Sequence, residues 1–181
     1  DLADGGAGQF AAVTRAIHKQ SPESCVELLI PDLQGNRDAL KIILESGPEI
    51  LGHNLETVPR LYPAVRAGAS YHGSLKLLAA AREITPEIPT KSGLMLGMGE
   101  TTAEVLDVMQ ELRRVGCTML TLGQYLQPTR KHLPVERYLP PEEFAELRQE
   151  GLQLGFAHVE AGPLVRSSYH AAEQYEESNH A

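Results

Sequence analysis

Ser92-Gly93-Leu94-Met95-Leu96-Gly97-Met98-Gly99-Glu100-Thr101, running on through Val115-Gly116-Cys117 to Leu122, is the stretch that decides the fold. Ser92 to Gly97 is short, apolar and bounded by glycine, which predicts a buried strand. Thr101 and Glu104 have capping-box spacing, and Val105, Val108, Met109, Leu112 and Val115 form one stripe at helical period. Gly116 stops that helix, and Cys117 to Leu122 reads as the next strand. One strand, one helix and one strand in this order form a parallel crossover unit.

The same alternation extends in both directions. Upstream, helical spacing at Phe10, Val13 and Ile17 precedes an apolar run from Val26 to Ile30 that ends at Pro31. Leu40, Ile43 and Leu44 mark another helix, closed by Gly47-Pro48. Ile50 to Asn54 reads as a strand with a polar tip, and Ser74 to Glu83 as a helix. Downstream, a Pro-rich segment leads to a helix from Pro141 with Phe144, Leu147, Gly151 and Leu154 on one face. Phe156 to Glu160 is the last predicted strand, and the tail after Tyr175 is polar. The chain therefore reads as one α/β domain over residues 1–181, an open sheet or a barrel, with ligands expected at the C-terminal strand tips.

Composition sets the outer bounds. The 181 residues are 42% hydrophobic and 22% charged, ordinary for a water-soluble globular chain. Sixteen Lys and Arg against 24 Asp and Glu give a net charge of -8, which argues against binding to nucleic acid. No apolar run is long enough for a membrane span. Two distant cysteines, Cys25 and Cys117, fit buried thiols in a reducing cytoplasm better than a disulfide framework or a metal site. The chain starts at Asp1 on an Asp4-Gly5-Gly6 turn, which reads like the middle of a protein.

Three strand-tip segments carry candidate chemistry. The glycines of Gly93 to Glu100 would let a ligand approach the backbone, or they simply build a strand-to-helix turn. Lys91 just before them could meet a carboxylate or sit in water. Asn54 and Glu56 could hydrogen-bond ribose hydroxyls, or Asn54 could cap a helix with Glu56 favoured by its dipole. His53 has no partner at metal-ligand spacing. Arg166, beside Ser167 and Ser168, could hold an anion, or the hydroxyls could cap a final helix. No Gly-x-Ser-x-Gly motif is present to suggest a serine hydrolase.

In order, these blocks resemble the lipoyl synthase family over almost the whole chain. The matching stretches are Val26-Glu27-Leu28-Leu29-Ile30-Pro31-Asp32, His53-Asn54-Leu55-Glu56-Thr57-Val58 and Pro89 to Thr101. Thr121-Leu122-Gly123-Gln124-Tyr125-Leu126-Gln127-Pro128 and Gly162-Pro163-Leu164-Val165-Arg166-Ser167-Ser168-Tyr169 complete them. The resemblance implies the C-terminal part of a radical S-adenosylmethionine (SAM) barrel, a partial (βα)6 TIM-like barrel without its first strands, with a C-terminal extension from about residue 156. It implies two [4Fe-4S] clusters, one splitting SAM to a 5′-deoxyadenosyl radical and the other giving up sulfur. That radical would attack C6 and C8 of an octanoyl chain on a lysine of a lipoyl-carrier domain, with flavodoxin or ferredoxin as electron donor, in the cytoplasm.

Residue by residue, Gly93, Gly97, Gly99 and Glu100 match the family's Gly-x-Ile-x-Gly-x-x-Glu strand near the adenine, with Met95 in the Ile place. Asn54 and Glu56 match the polar tip near ribose and methionine, and Gln124, Tyr125 and Leu126 match the tip beside the adenosine, with Lys91 joining the SAM site. Ser168 matches the serine ligand of the auxiliary cluster, and Asp4-Gly5-Gly6 the region of the SAM amino group. The family's two cysteine triplets are expected upstream of Asp1, so this chain alone is expected to be inactive. Biotin synthase is the alternative among sulfur-inserting enzymes, weakened by the Arg-Ser-Ser-Tyr ending; a non-catalytic partner-binding module is the other.

Overall fold

The computed structural model describes residues 2–168. Tyr169 and His170, and the tail after Tyr175, lie outside the described residues. The elements alternate from the start: α1 (Ala7–Gln20), β1 (Glu27–Leu29), α2 (Arg37–Leu44), β2 (Ile50–Gly52), α3 (Tyr62–Val65) and α4 (Tyr71–Ile84). Then come β3 (Thr90–Leu96), α5 (Thr102–Arg114), β4 (Met119–Gln124), α6 (Pro141–Gln153) and β5 (His158–Gly162).

All five strands are parallel, and they lie side by side in chain order, β1-β2-β3-β4-β5. That order selects between the two architectures open from sequence. Crossovers of one hand that always step to the next strand put every helix on the same face. A doubly wound sheet would reverse its order midway; this one does not. The result is an arc of a (βα) barrel.

Side-chain alternation along the strands confirms which face is which. Leu28 and Leu51 pack with Leu40, Ile43 and Leu44 of α2 in one buried cluster. Leu94, Leu96, Leu120, Leu122 and Val159 pack with Leu78 of α4, Val105, Val108, Met109 and Leu112 of α5, and Phe144 and Leu147 of α6 in another. The residues between them, including Glu27, Lys91, Gly93, Thr121, Gly123 and Glu160, point to the opposite, concave face. Every helix-facing strand residue named here is aliphatic, whereas the concave face carries charge, hydroxyl and glycine.

The expected capping box at α5 is present: Glu104 N donates to Thr101 Oγ1 at 3.3 Å and Thr101 N to Glu104 Oε2 at 2.8 Å. Its other end explains why β4 starts two residues later than the apolar run suggests. Gly116 has φ 82°, Gly116 N donates to Arg113 O at 2.9 Å, and Cys117 N to Leu112 O at 3.0 Å. Those bonds tie Cys117 to the helix C-terminus, so sheet pairing begins only at Met119. The last strand shifts in the same way, because Phe156 N bonds back to Gly151 O of α6 at 3.2 Å.

Below the tip of β2, His53 is 2% exposed. Its Nδ1 lies 3.0 Å from Ile30 O and its Nε2 2.8 Å from Ser74 Oγ, so the ring bolts β2 to the β1 tip and α4. Burial is the main cause that pushes its pKa below the ordinary 6.5, partly opposed by the Ile30 carbonyl, so the ring is neutral. His53 is a structural residue. No described helix is long and apolar enough to cross a membrane.

Candidate functional site

A cleft of about 190 Å³ opens at the C-terminal ends of β3 and β4 on the concave face. Asn54, Glu56, Gly93, Met95, Gln124 and Leu126 line it, together with Thr121, Gly123 and the returning segment Val165-Arg166-Ser167. The cleft owes its floor to missing side chains. A Cβ on Gly93 would stand 2.6 Å from Thr121 Oγ1 and 3.0 Å from Asn54 Oδ1, and one on Gly123 would collide with Val165 O.

Asn54 and Glu56 sit on the wall because the chain does not enter a helix after β2. The helix-cap alternative fails here, since the next helical residues are the 3-10 turn Pro59–Leu61. Instead Glu56 takes φ 67°, uncommon for a residue with a side chain. That turn is locked to β3 by Glu56 N donating to Gly93 O at 2.9 Å and Met95 N donating to Glu56 O at 2.8 Å. Leu55 N donates to Ser92 Oγ at 3.3 Å, and Arg66 Nη1 to Asn54 O at 3.0 Å. Burial raises the Glu56 carboxyl above its ordinary pKa, with Asn54 and Arg66 opposing. The Glu56 carboxyl is thus partly buried on a residue with positive φ.

The Gly97–Glu100 turn forms a rim just beyond the end of β3, outside the residues that line this cleft. Gly97 and Gly99 have φ of 100° and 98°. The Glu100 carboxylate accepts from Gly97 N at 2.5 Å and from Met98 N at 2.9 Å, which explains a Glu three residues after the glycine. Arg60 clamps the turn from outside, donating to Gly99 O at 2.8 Å while paired with Glu104.

Gln124 has its amide committed: Nε2 donates to Tyr125 O at 3.0 Å and Arg137 O at 3.1 Å, and Oε1 accepts from Leu139 N at 2.9 Å. Tyr125 is 5% exposed and donates its hydroxyl to Leu133 O at 2.8 Å, whereas Leu126 is 49% exposed on the cleft. Lys91 lies beneath the cleft with its ammonium 3.0 Å from Glu27 Oε1, and it also donates to Ser167 O. Ser168 is exposed in a turn beside it.

The Asp4 carboxylate, expected near a ligand amino group, accepts from Gly6 N at 2.9 Å and Gly8 N at 2.8 Å. Those bonds hold it below the usual carboxylate range and start α1. Sequence reasoning passed over Thr121 and Gly123, whose signal is their register opposite Gly93 and Met95 on β3. It also passed over Glu27 as the partner of Lys91.

The cysteines are elsewhere. Cys25 is exposed ahead of β1, and Cys117 is buried ahead of β4, both at the N-terminal edge of the sheet. The Cys117 thiol lies 3.4 Å from Thr90 O and Met119 O, and burial pushes its pKa up to about 11. Among the described residues no group of three or more His, Cys, Asp and Glu is placed to hold a metal ion. A second groove of about 240 Å³ runs between α5 and α6, and its lining includes Leu96 at the end of β3 and Glu100 in the turn that follows.

No family model matches the chain. Curated relatives do: the lipoyl synthases of Salmonella arizonae, Salmonella paratyphi B and Salmonella newport are each 59% identical over 172 residues. Those alignments cover 94% of this chain and 54% of each relative, so the chain spans about half the length of the curated relatives it matches. Among solved structures, methylornithine synthase (PylB) superposes with a TM-score of 0.64 at 15% identity, over 88% of this chain and 54% of that one. At that identity the likeness concerns the fold, and it agrees with the parallel barrel arc. Across the half of those relatives that it spans, the chain is similar to lipoyl synthases throughout.

Proposed function

We propose that this chain contributes the SAM-binding C-terminal part of a cytoplasmic lipoyl synthase, which inserts sulfur at C6 and C8 of an octanoyl chain carried on a lysine of a lipoyl-carrier protein. The observation that carries this reading is the glycine-floored cleft. It brings Asn54, Glu56 and Gly93 together at the strand tips, in a chain 59% identical to lipoyl synthases.

The cleft suits SAM. Asn54 and Glu56 would hydrogen-bond the ribose and methionine portions, which offer both donors and acceptors. Gly93 and Gly123 would let the adenosine approach the strand backbone, and Leu126 would cover its apolar face. Bound there, SAM supplies the one-electron chemistry that activates unreactive C–H bonds. A reduced donor such as flavodoxin or ferredoxin would supply the electron.

The [4Fe-4S] clusters do not fit the described residues. Such clusters need several thiolates converging on one core, and the two here lie at the wrong edge of the sheet. Cluster ligands therefore belong to the portion of the relatives that this chain does not span. Among the described residues, Ser168, exposed at the end of the returning segment, is the candidate contribution from this side.

The reading is tested in the full-length polypeptide by Asn54→Ala and Glu56→Gln. Losing a hydrogen bond to a desolvated polar group costs about 1–3 kcal/mol, so KM for SAM should rise about tenfold in each, with the melting transition kept. An unchanged KM in both variants would remove this wall from the SAM site.

A further inference from the structure

We infer that Lys91, paired with Glu27, is a positioning residue that holds the 165–168 segment across the mouth of the concave face. The inference deepens the proposed function and rests on it for what the segment does.

Lys91 is 1% exposed, and an ammonium so far from water is stable only with a full set of partners. It has one. The ammonium pairs with the Glu27 carboxylate, 3.0 Å from Oε1 and donating to Oε2 at 3.1 Å, and it also donates to the main-chain carbonyl of Ser167. Glu27 stands on β1, two strands from Lys91 on β3, so the pair spans the inner face at β2. Its function toward the tail is to fix a backbone atom, not to read a side chain.

A second anchor lies two residues earlier. Val165 is 4% exposed, its N–H donates to Gly162 O at 3.1 Å, and its carbonyl rests on Gly123, where no Cβ would fit. The segment is thus pinned at Val165 and at Ser167. Arg166 between the pins lines the cleft, and Ser168 follows directly after the second pin. Buried and tied to Glu27 and Ser167, Lys91 acts on the cleft through this segment rather than by touching SAM. Delivery of Ser168 to the sulfur-transfer step then depends on an ion pair that is 64 residues apart in sequence.

The test uses the full-length, cluster-reconstituted polypeptide carrying Glu27→Gln with Lys91→Met, which removes both charges at nearly constant volume and leaves neither buried alone. Two quantities are read: hydrogen exchange at the amides of 164–168, and lipoyl product formed per SAM cleaved. The expected result is exchange at least tenfold faster in that segment, with β3 and β4 unchanged, and a product-to-cleavage ratio at least tenfold lower. Unchanged exchange, or product and cleavage falling in equal proportion, overturns the inference. Should the double variant fail to fold, Val165→Ala loosens the other pin with the ion pair and the cleft floor intact, and the same two outcomes decide. A wild-type protein that makes no lipoyl product would defeat the proposed function, while the exchange result would still judge the tether.

Discussion

Gly97→Ala in the full-length polypeptide is expected to lower the melting temperature by about 10 °C. Two costs combine at this position. Gly97 has φ 100°, outside the range that side chains favour, and such strain costs about 1–3 kcal/mol. The new Cβ would also meet the Arg137 carbonyl and the Gln124 side-chain nitrogen. One of those is backbone, already receiving Gln124 Nε2, so it cannot swing away, and overpacking of this kind costs about 1–3 kcal/mol more. For a domain of this size each kcal/mol moves the transition by about 2–4 °C. Gly35→Ala is the matched control, with φ 74° but nothing within 4 Å of its Cβ. Calorimetry should show a clearly smaller loss there, and equal losses would mean that the rim turn is not packed as described.

Gly93→Val is expected to do the reverse: keep the fold and abolish binding. Gly93 lies in the middle of β3, paired on both sides, and carries no positive φ, so a β-branched residue suits its backbone. The atoms its Cβ would approach, Thr121 Oγ1 and Asn54 Oδ1, are side-chain ends that can rotate. They would rotate into the cleft, and the valine methyls would occupy the floor where a ligand must rest. SAM affinity should fall at least about a hundredfold, equivalent to about 2.7 kcal/mol, with a melting temperature above that of Gly97→Ala. Equilibrium binding within threefold of wild type would place the SAM site away from this floor.

Local order was legible in sequence wherever it depended on neighbouring residues. Thr101 and Glu104 announced the start of α5, the stripe from Val105 to Leu112 announced its buried face, and Gly116 its end. The alternation of strands and helices also gave the α/β class. What adjacency cannot carry is which strand lies next to which: the residues alone left an open sheet or a barrel, the family resemblance implied the partial barrel, and the consecutive order β1 to β5 bears it out. The site divides along the same line. On spacing alone Asn54 and Glu56 could equally cap a helix and Gly93 build a turn; the family resemblance singled them out, and their convergence is a matter of register. Glu27 was not visible as a site residue at all, because its partner is 64 residues away and neither sits in a motif that names the other. Gln124 and Tyr125 stood at the right strand tip, but side-chain direction there is set by the loop through Leu133, Arg137 and Leu139, which no local pattern encodes.

The central claim is that the cleft built by this chain serves sulfur insertion into a protein-bound octanoyl group. The most direct measurement is mass spectrometry of an octanoyl-lysine carrier domain after incubation with the full-length, cluster-reconstituted polypeptide, SAM and a reductant. The expected product is a carrier that has gained two sulfur atoms, with one 5′-deoxyadenosine released for each carbon attacked, and loss of both signals in Gly93→Val. SAM cleavage that leaves the octanoyl chain without sulfur would contradict it.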